Sequence, residues 1–309
     1  MNSFWKRKRI LVTGAGGFVG SHVVDRLIKT RGVSIKNIRA HGLKNGDLRE
    51  FPSAQKAVEG IDIVIHLAAD VGGIGYSRTH PATQFRSCTL IDLAVFEAAA
   101  RAHIGKFVAV SSSVAYPKNA PSPLSEDHFF DGPPAETALG YGYAKRGTAI
   151  LAQVYAKERG LPAVLVIPNN AYGPGQEIDL VKGHVIPSLI YKCLTQKELV
   201  VWGDGSEIRD FLYAQDLAEG ILLAAERLTN PSPVNIGSGR GMSIRQLVSL
   251  IVKLTRFEGN VTFDTTQAKG QKERIVDIAR EKSELGFRPK WNVPDGLKKT
   301  VTWVKEQTS

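Results

Sequence analysis

Through the first half of the chain, short apolar runs alternate with longer stretches in which apolar residues recur at helical spacing. Residues 9–13, 37–40, 62–67, 106–111 and 163–168 read as buried strands bounded by turn residues. Residues 19–30, 83–102 and 143–159 read as helices with one apolar face. Buried strands joined by crossover helices predict a parallel sheet covered on both faces, so the fold class is α/β with a doubly wound parallel sheet. Past Asn170 the alternation fades, and a Gly/Pro-rich stretch from Tyr172 to Gly175 opens a less regular half. Residues 212–227 read as a strand end and helix that return to the first half.

The first strand runs straight into Thr13-Gly14-Ala15-Gly16-Gly17-Phe18-Val19-Gly20 and then a helix. In that order the segment makes an anion cradle. Gly14 takes the tight turn, Gly17 lets the backbone approach a pyrophosphate, and Gly20 lets helix and strand pack closely. The same glycines without the flanking strand and helix would say little. Residues 1–170, with about 208–236 returning, are therefore expected to form a Rossmann-type dinucleotide-binding domain. Residues 171–207 and 237–309 are left as a smaller C-terminal α/β substrate lobe. An NAD site calls for Asp or Glu at the end of the second strand, on the ribose 2′-hydroxyl. Here that segment reads Ile38-Arg39-Ala40-His41-Gly42-Leu43-Lys44, with no acid. Arg39, with Lys44 as a second cation, suits a 2′-phosphate, so NADP (NADPH) is expected over NAD.

Composition adds limits. At 309 residues, 43% hydrophobic and 23% charged, the chain is long enough for a large core and excludes disordered and collagenous classes. Forty basic residues against thirty acidic leave a charge of +10, which points to an anionic partner without naming it. No nucleic-acid recognition motif accompanies that charge, and no run approaches the roughly 18 apolar residues of a membrane span, so neither partner is expected. Cys88 and Cys193 supply neither a disulfide framework nor a Cys-based metal site, and no metal is expected. The basic N-terminal stretch meets glycines at once rather than the apolar core of a secretory signal, so the expected location is the cytoplasm.

Tyr141 and Lys145 lie four residues apart in a helical pattern, which puts both on one face. An ammonium beside a phenol favours phenolate. The spacing thus predicts a Tyr141 pKa drawn toward neutrality and a proton exchanged with a sugar hydroxyl or carbonyl. Ser112, at the end of a predicted strand, adds a hydrogen bond to the same oxygen.

With Thr13 to Gly20, His66-Leu67-Ala68-Ala69, Ser111-Ser112-Ser113, Tyr141 with Lys145, and Arg209-Asp210-Phe211, the chain resembles the extended short-chain dehydrogenase/reductases. The likeness is to their NAD(P)-dependent sugar epimerase/dehydratase group and covers nearly the whole length. Ala69-Asp70-Val71-Gly72-Gly73-Ile74, Tyr116-Pro117-Lys118, Tyr172-Gly173-Pro174-Gly175, His184-Val185-Ile186-Pro187 and Val201-Trp202-Gly203 make it most similar to the GDP-fucose synthase subfamily. That subfamily epimerises GDP-4-keto-6-deoxymannose at C3 and C5 and reduces it at C4. The resemblance implies Tyr141 as proton donor to the C4 oxygen, Lys145 ordering the ribose and tuning Tyr141, and Ser112 polarising the carbonyl. It implies His184 as one of two epimerisation groups. Phe18, Val19, Asp47, Leu48, Leu67, Ala68, Ala69, Pro168 and Asn170 are implied around the cofactor. Ser113, Val185, Lys192, Trp202, Arg209 and Arg274 are implied around a nucleotide-sugar diphosphate, with GDP the expected nucleotide. A homodimer built on the helices near 83–102 and 143–159 is implied as well.

The chain departs from the subfamily at one telling place. The second epimerisation group is a cysteine two residues before the tyrosine of the Tyr-Pro pair, and here that position is Val114. Valine neither accepts nor donates a proton. The expected activity is therefore NADPH-dependent reduction at C4 of a nucleotide-diphosphate 4-keto-6-deoxy sugar, with 3,5-epimerisation weak or absent unless Ser113 substitutes. Cys88 stands where relatives tend to carry an asparagine and is expected to be an ordinary buried residue. Ser113-Val114-Ala115 in place of an acid pair argues against dehydration. Two alternatives stay open: a cofactor-retaining nucleotide-sugar 4-epimerase, which needs only Ser112, Tyr141 and Lys145, and a non-catalytic NADP-binding regulator on the same fold.

Overall fold

A computed structural model describes residues 3–179, 183–266 and 271–308. The first half runs β1 (Ile10–Thr13), α1 (Phe18–Arg31), β2 (Ile38–His41), α2 (Phe51–Val58), β3 (Ile63–His66), α3 (Ile74–Thr79), α4 (Pro81–Arg101), β4 (Lys106–Val110), α5 (Leu139–Arg159) and β5 (Ala163–Pro168). The second half runs β6 (Asn170–Tyr172), α6 (Val185–Thr195), β7 (Glu198–Trp202), β8 (Ile208–Tyr213), α7 (Ala214–Arg227) and β9 (Pro233–Ile236). It continues with β10 (Gly241–Ser243), α8 (Ile244–Thr255), β11 (Asn260–Asp264), β12 (Glu273–Arg274), α9 (Ala279–Leu285) and α10 (Val293–Thr308).

Six strands pair in parallel in the order β2-β1-β3-β4-β5-β9. Alternation along β1 shows why both faces are buried. Ile10 and Val12 pack with Val23 and Leu27 of α1 and Leu217 and Ile221 of α7. Leu11 packs on the other side with Ala54 of α2, Val95 and Phe96 of α4, and Ala149 and Ala152 of α5. The expected α/β doubly wound sheet is present. The chain leaves β1 for β2 on one side and returns to β3 on the other, so the strand order reverses at β1. In doubly wound sheets such a reversal, at the carboxyl ends of the strands, is where ligands bind, and here Thr13 and His66 are register partners at that end.

Two expectations shift. The helix predicted from residue 143 begins at Leu139, so Tyr141 and Lys145 both lie inside α5. Gly140 and Gly142, poor helix formers, hide that start in the sequence. A Cβ on Gly140 would stand 2.0 Å from the Pro81 carbonyl oxygen, so the glycine admits the close crossing of α5 over the start of α4. The returning segment also divides at Tyr213. β8 pairs with β6, β10 and β12 in a separate sheet, whereas α7 and β9 rejoin the first. That second sheet, the β11-β7 pair and α6, α8 and α10 enclose their own core around Leu189, Ile190, Leu199, Leu247, Ile251 and Leu297. Among the described residues no helix is long and apolar enough to cross a membrane.

Candidate active site

The glycine turn has the geometry of an anion cradle. Gly14 adopts a left-handed φ of +66°, and a Cβ there would sit 3.0 Å from the Ala68 backbone nitrogen. A Cβ on Gly20 would come within 2.1 Å of the Gly14 carbonyl oxygen, so only glycine lets α1 pack this close to β1. Gly17 caps α1 without a side-chain acceptor, which leaves the N–H groups of the first turn, starting at Phe18 and Val19, free for an anion. These residues fit a dinucleotide pyrophosphate.

Next to it, α5 and the end of β4 assemble the predicted catalytic group. Ser112 follows β4 and its hydroxyl hydrogen-bonds the Tyr141 phenol. Lys145, one turn along α5, is buried and donates from Nζ to the Val110 carbonyl at 3.0 Å. Burial pushes the Tyr141 phenol above its ordinary range, although Lys145 and the Ser112 hydrogen bond pull the other way. The expected fall toward neutrality is corrected here. Desolvating a phenolate costs more than one nearby ammonium returns, so Tyr141 holds its proton. Burial works against the Lys145 ammonium too, but Asp92, Tyr141 and Cys88 outweigh it and raise its pKa.

Asp92 and Cys88, both on α4, face this pair and were not expected there. Asp92 accepts from His66 Nε2 at 3.0 Å and from the Thr148 hydroxyl. Cys88 is wholly buried, lies 3.6 Å from the Asp70 carbonyl oxygen and is within electrostatic reach of Tyr141 and Lys145. Burial pushes its thiol up to about 11, so it stays protonated. The clue in the sequence is an acid, Asp92, inside the apolar run Leu90 to Phe96, at a position α4 buries.

The second lobe contributes cations. Arg209 on β8 and Arg274 on β12 are register partners. Arg209 donates to the Ile208 carbonyl, and Arg274 to the side-chain oxygen of Gln271 through Nε at 3.0 Å. Burial and then the Arg209 charge bring the Arg274 guanidinium down to about 10, and burial lowers Arg209 as well. Glu207 is the acid whose charge reaches Arg209. Two close, desolvated guanidiniums form a site for an anion carrying more than one charge. Trp202 is 55% exposed at the end of β7, and Val185 is exposed at the start of α6. Lys192, two turns further along α6, donates to the Val200 carbonyl at 3.3 Å. His184, exposed, precedes α6, and the protein around it lowers its pKa.

The comparisons with known proteins agree with this geometry. Residues 10–237 match the model of the NAD dependent epimerase/dehydratase family. The chain belongs to that family. It is 33% identical to GDP-L-fucose synthase 1 of Arabidopsis thaliana over 307 residues, covering 96% of this chain and 93% of the relative. A solved GDP-L-fucose synthetase from Naegleria fowleri, bound to NADP, superposes with a TM-score of 0.87 at 28% identity, covering 98% of this chain and 94% of that one. UDP-glucose 4-epimerase from Thermotoga maritima superposes at 0.84 with 27% identity, covering 97% and 99%. Members of this epimerase family and these relatives are nicotinamide-dependent sugar-nucleotide enzymes, and so is this chain. The reading as a non-catalytic regulator falls.

Several residues expected at the family's cofactor and substrate sites stand differently. Arg39 is exposed beside the end of β2, and its guanidinium is engaged through one nitrogen. That nitrogen, Nη1, points to the Lys56, Ala57 and Glu59 carbonyls at 3.2, 2.8 and 2.9 Å at the end of α2, where unpaired carbonyls draw a cation. Lys44 is exposed in the turn after β2. Asp47 pairs with Arg49, which holds its carboxyl below the usual range. Leu48 is core, so only its backbone can border a cofactor. The backbone N–H groups of Leu67 and Ala68 bond Thr13 Oγ1, and Ala69 follows them, half-buried. Pro168 ends β5, and Asn170 donates to the Asp210 carbonyl at 3.2 Å, tying β6 to β8. Ser113, expected against substrate and as a stand-in for the missing cysteine, turns inward. It is 2% exposed and donates to Asn169 Oδ1 at 2.8 Å, whereas Ser112 and Val114 stay half-buried.

Proposed function

We propose that the protein reduces the C4 keto group of a GDP-linked 4-keto-6-deoxy sugar with NADPH and epimerises it at C3 and C5 little or not at all. The observation that carries the reduction is the protonated Tyr141 phenol, hydrogen-bonded to Ser112 beside the Lys145 ammonium. A nicotinamide cofactor, when bound, supplies the hydride. Ser112 polarises the keto oxygen, Tyr141 gives its proton to that oxygen as it takes up charge, and Lys145 stabilises the phenolate left behind. Arg209 and Arg274 hold the substrate diphosphate. Lys192 is the third cation assigned to it, and the exposed Trp202 ring and Val185 receive the base. The GDP assignment draws on the GDP-L-fucose synthases it resembles.

The turn from Gly14 to Val19 holds the pyrophosphate. NADP is preferred because the end of β2 carries no acid and presents Arg39, with Lys44 as a second cation, for the 2′-phosphate. Asp47, Leu48, Leu67, Ala68 and Ala69 border the adenosine half, with Pro168 and Asn170 near the nicotinamide. Epimerisation lacks its second proton carrier: Val114 occupies that place and Ser113 is directed into the interior. His184 remains as a substrate contact.

The deciding experiment supplies GDP-4-keto-6-deoxymannose and NADPH in deuterium oxide. NADPH should be consumed with little label at C3 or C5, and substantial label there would sink the proposal. A second reading, a 4-epimerase that keeps its cofactor, is favoured by the likeness to UDP-glucose 4-epimerase. NAD(H) released from denatured, as-purified protein would select it. We also infer a homodimer through α4 and α5, whose outer faces expose Phe85, Leu93, Tyr143, Ile150 and Val154.

A further inference from the structure

Behind the catalytic pair, four buried side chains that the reduction itself does not touch form a continuous hydrogen-bonded chain: Thr13, His66, Asp92 and Thr148. Thr13 Oγ1 accepts the Leu67 and Ala68 N–H groups at 3.0 and 3.1 Å, which uses both its lone pairs. Its own proton therefore goes to His66 Nδ1, 2.8 Å away. A ring that accepts at Nδ1 carries its proton on Nε2, and His66 donates it to Asp92 Oδ1 at 3.0 Å. Thr148 donates to Asp92 Oδ2. The direction of every bond is thus fixed, and His66 is neutral while Asp92 is a carboxylate.

The titratable groups that reach Lys145 are Cys88 and Asp92 on α4 and Tyr141 on its own helix α5; behind them, His66 on β3 bonds Asp92 and Ser112 after β4 bonds Tyr141. Cys88 keeps its proton, as do Tyr141 and Ser112. Lys145 and Asp92 are the charged members of the group. An ammonium buried in this way is strongly disfavoured unless an opposite charge is held near it.

We propose that the chain from Thr13 through His66 to Asp92 and Thr148 is a positioning device for Lys145. It holds a carboxylate in place as the counter-charge of the ammonium and ties it to the cofactor-side turn at Leu67 and Ala68. Asp92 and His66 are positioning residues, acting through Lys145 on the proton that Tyr141 transfers. The inference rests on the reductase reading of the site, and it gives the buried acid in α4 a role that packing alone does not explain.

The test is Asp92→Asn, which keeps the shape and removes the charge. Loss of a nearby negative charge lowers the pKa of both Lys145 and Tyr141. The alkaline limb of kcat for keto-sugar reduction should therefore move to lower pH by about one unit or more. The pH at which NADPH affinity falls, read by cofactor fluorescence with no sugar present, should shift the same way. Thr148→Val, which deletes a bond to Asp92 but keeps its charge, should lower the melting temperature while moving the limb much less. An Asp92→Asn variant that melts earlier but keeps both limbs where the wild type has them would show a structural role only and overturn the proposal. If the wild type reduces no 4-keto sugar nucleotide, the functional reading fails and the NADPH titration still decides the device. In the wild type itself, the His66 Nε2 proton should resonate far downfield and disappear in His66→Gln; its absence also overturns the proposal.

Discussion

Arg209 and Arg274 stand side by side as register partners on neighbouring strands, and their hydrogen-bond partners are neutral oxygens, the Ile208 carbonyl and the Gln271 amide. Gln271 in turn donates to the Lys118 carbonyl at 2.7 Å, so the loop following Val114 helps aim Arg274. With no carboxylate hydrogen-bonded to either among the described residues, and only Glu207 near Arg209, the two guanidiniums leave charge for a ligand. Arg274→Gln should raise KM for the nucleotide sugar by roughly ten- to a hundredfold, the loss of a charge-assisted hydrogen bond of about 1.5–3 kcal/mol. The value of kcat should change far less, since the diphosphate is held alike before and during reaction. Arg274→Lys should recover only part of the loss, because an ammonium lacks the planar fork. Steady-state kinetics check both.

Tyr141→Phe should lower kcat by about a hundred- to ten-thousandfold, the usual worth of a positioned proton donor, with NADPH affinity little changed. Reduction needs the protonated phenol, and burial raises the Tyr141 pKa above its ordinary value. The wild-type rate should therefore stay level through neutral pH and fall only on the alkaline side. A rate that instead climbs from pH 6 to pH 8 would count against Tyr141 as the acid.

Val114→Cys returns a proton carrier to the place the GDP-fucose synthase subfamily uses. Deuterium entry at C3 and C5 should rise well above the wild-type level while the C4 reduction rate stays of the same order. Mass spectrometry of the product measures both.

Glu281 on α9 is fully buried, and that burial, with Asp210 and Glu126 close by, pushes its carboxyl up to about 9 against the pull of the Gly237 N–H. A carboxyl whose folded pKa lies above its unfolded value adds stability fully below the unfolded pKa, 4.5, and loses it as pH rises toward about 9. Wild-type stability should decline over that window. Glu281→Gln, which cannot ionise, should flatten the decline in urea midpoints measured between pH 5 and pH 9.

Ile150→Asp, on the outer face of α5, places a charge in the inferred dimer contact. Sedimentation velocity should show wild-type dimers dissociating to monomers in the variant, with the monomer fold intact by circular dichroism. A wild type already monomeric at micromolar concentration would remove the dimer proposal.

The strands of the first half, the glycine turn and the Tyr141/Lys145 pair were legible because each is local. Periodicity, a left-handed glycine and a four-residue helical spacing are all set within a few residues of one another. The same holds for the absence of an acid after β2, which any reading of His41-Gly42-Leu43-Lys44 reveals. Arg39, Ser113 and the Tyr141 pKa were not legible. What Arg39 meets depends on where α2 ends beside β2. The direction of Ser113 depends on Asn169, 56 residues away. The Tyr141 pKa depends on how much water α4 and α5 exclude, a property of packing and not of spacing. Asp92 makes the same point most sharply. In sequence it is one of two acids in α4, and only the meeting of β1, β3, α4 and α5 gives it His66, Thr148 and Lys145 as neighbours. By itself the sequence determined the fold, the cradle and the pairing of Tyr141 with Lys145 on one helix, because chain-local sterics and hydrophobic period specify them. Tertiary structure alone decided which charges are paired, which hydroxyls face the cleft and which proton Tyr141 keeps, because desolvation and long-range electrostatics exist only once distant segments have closed on each other.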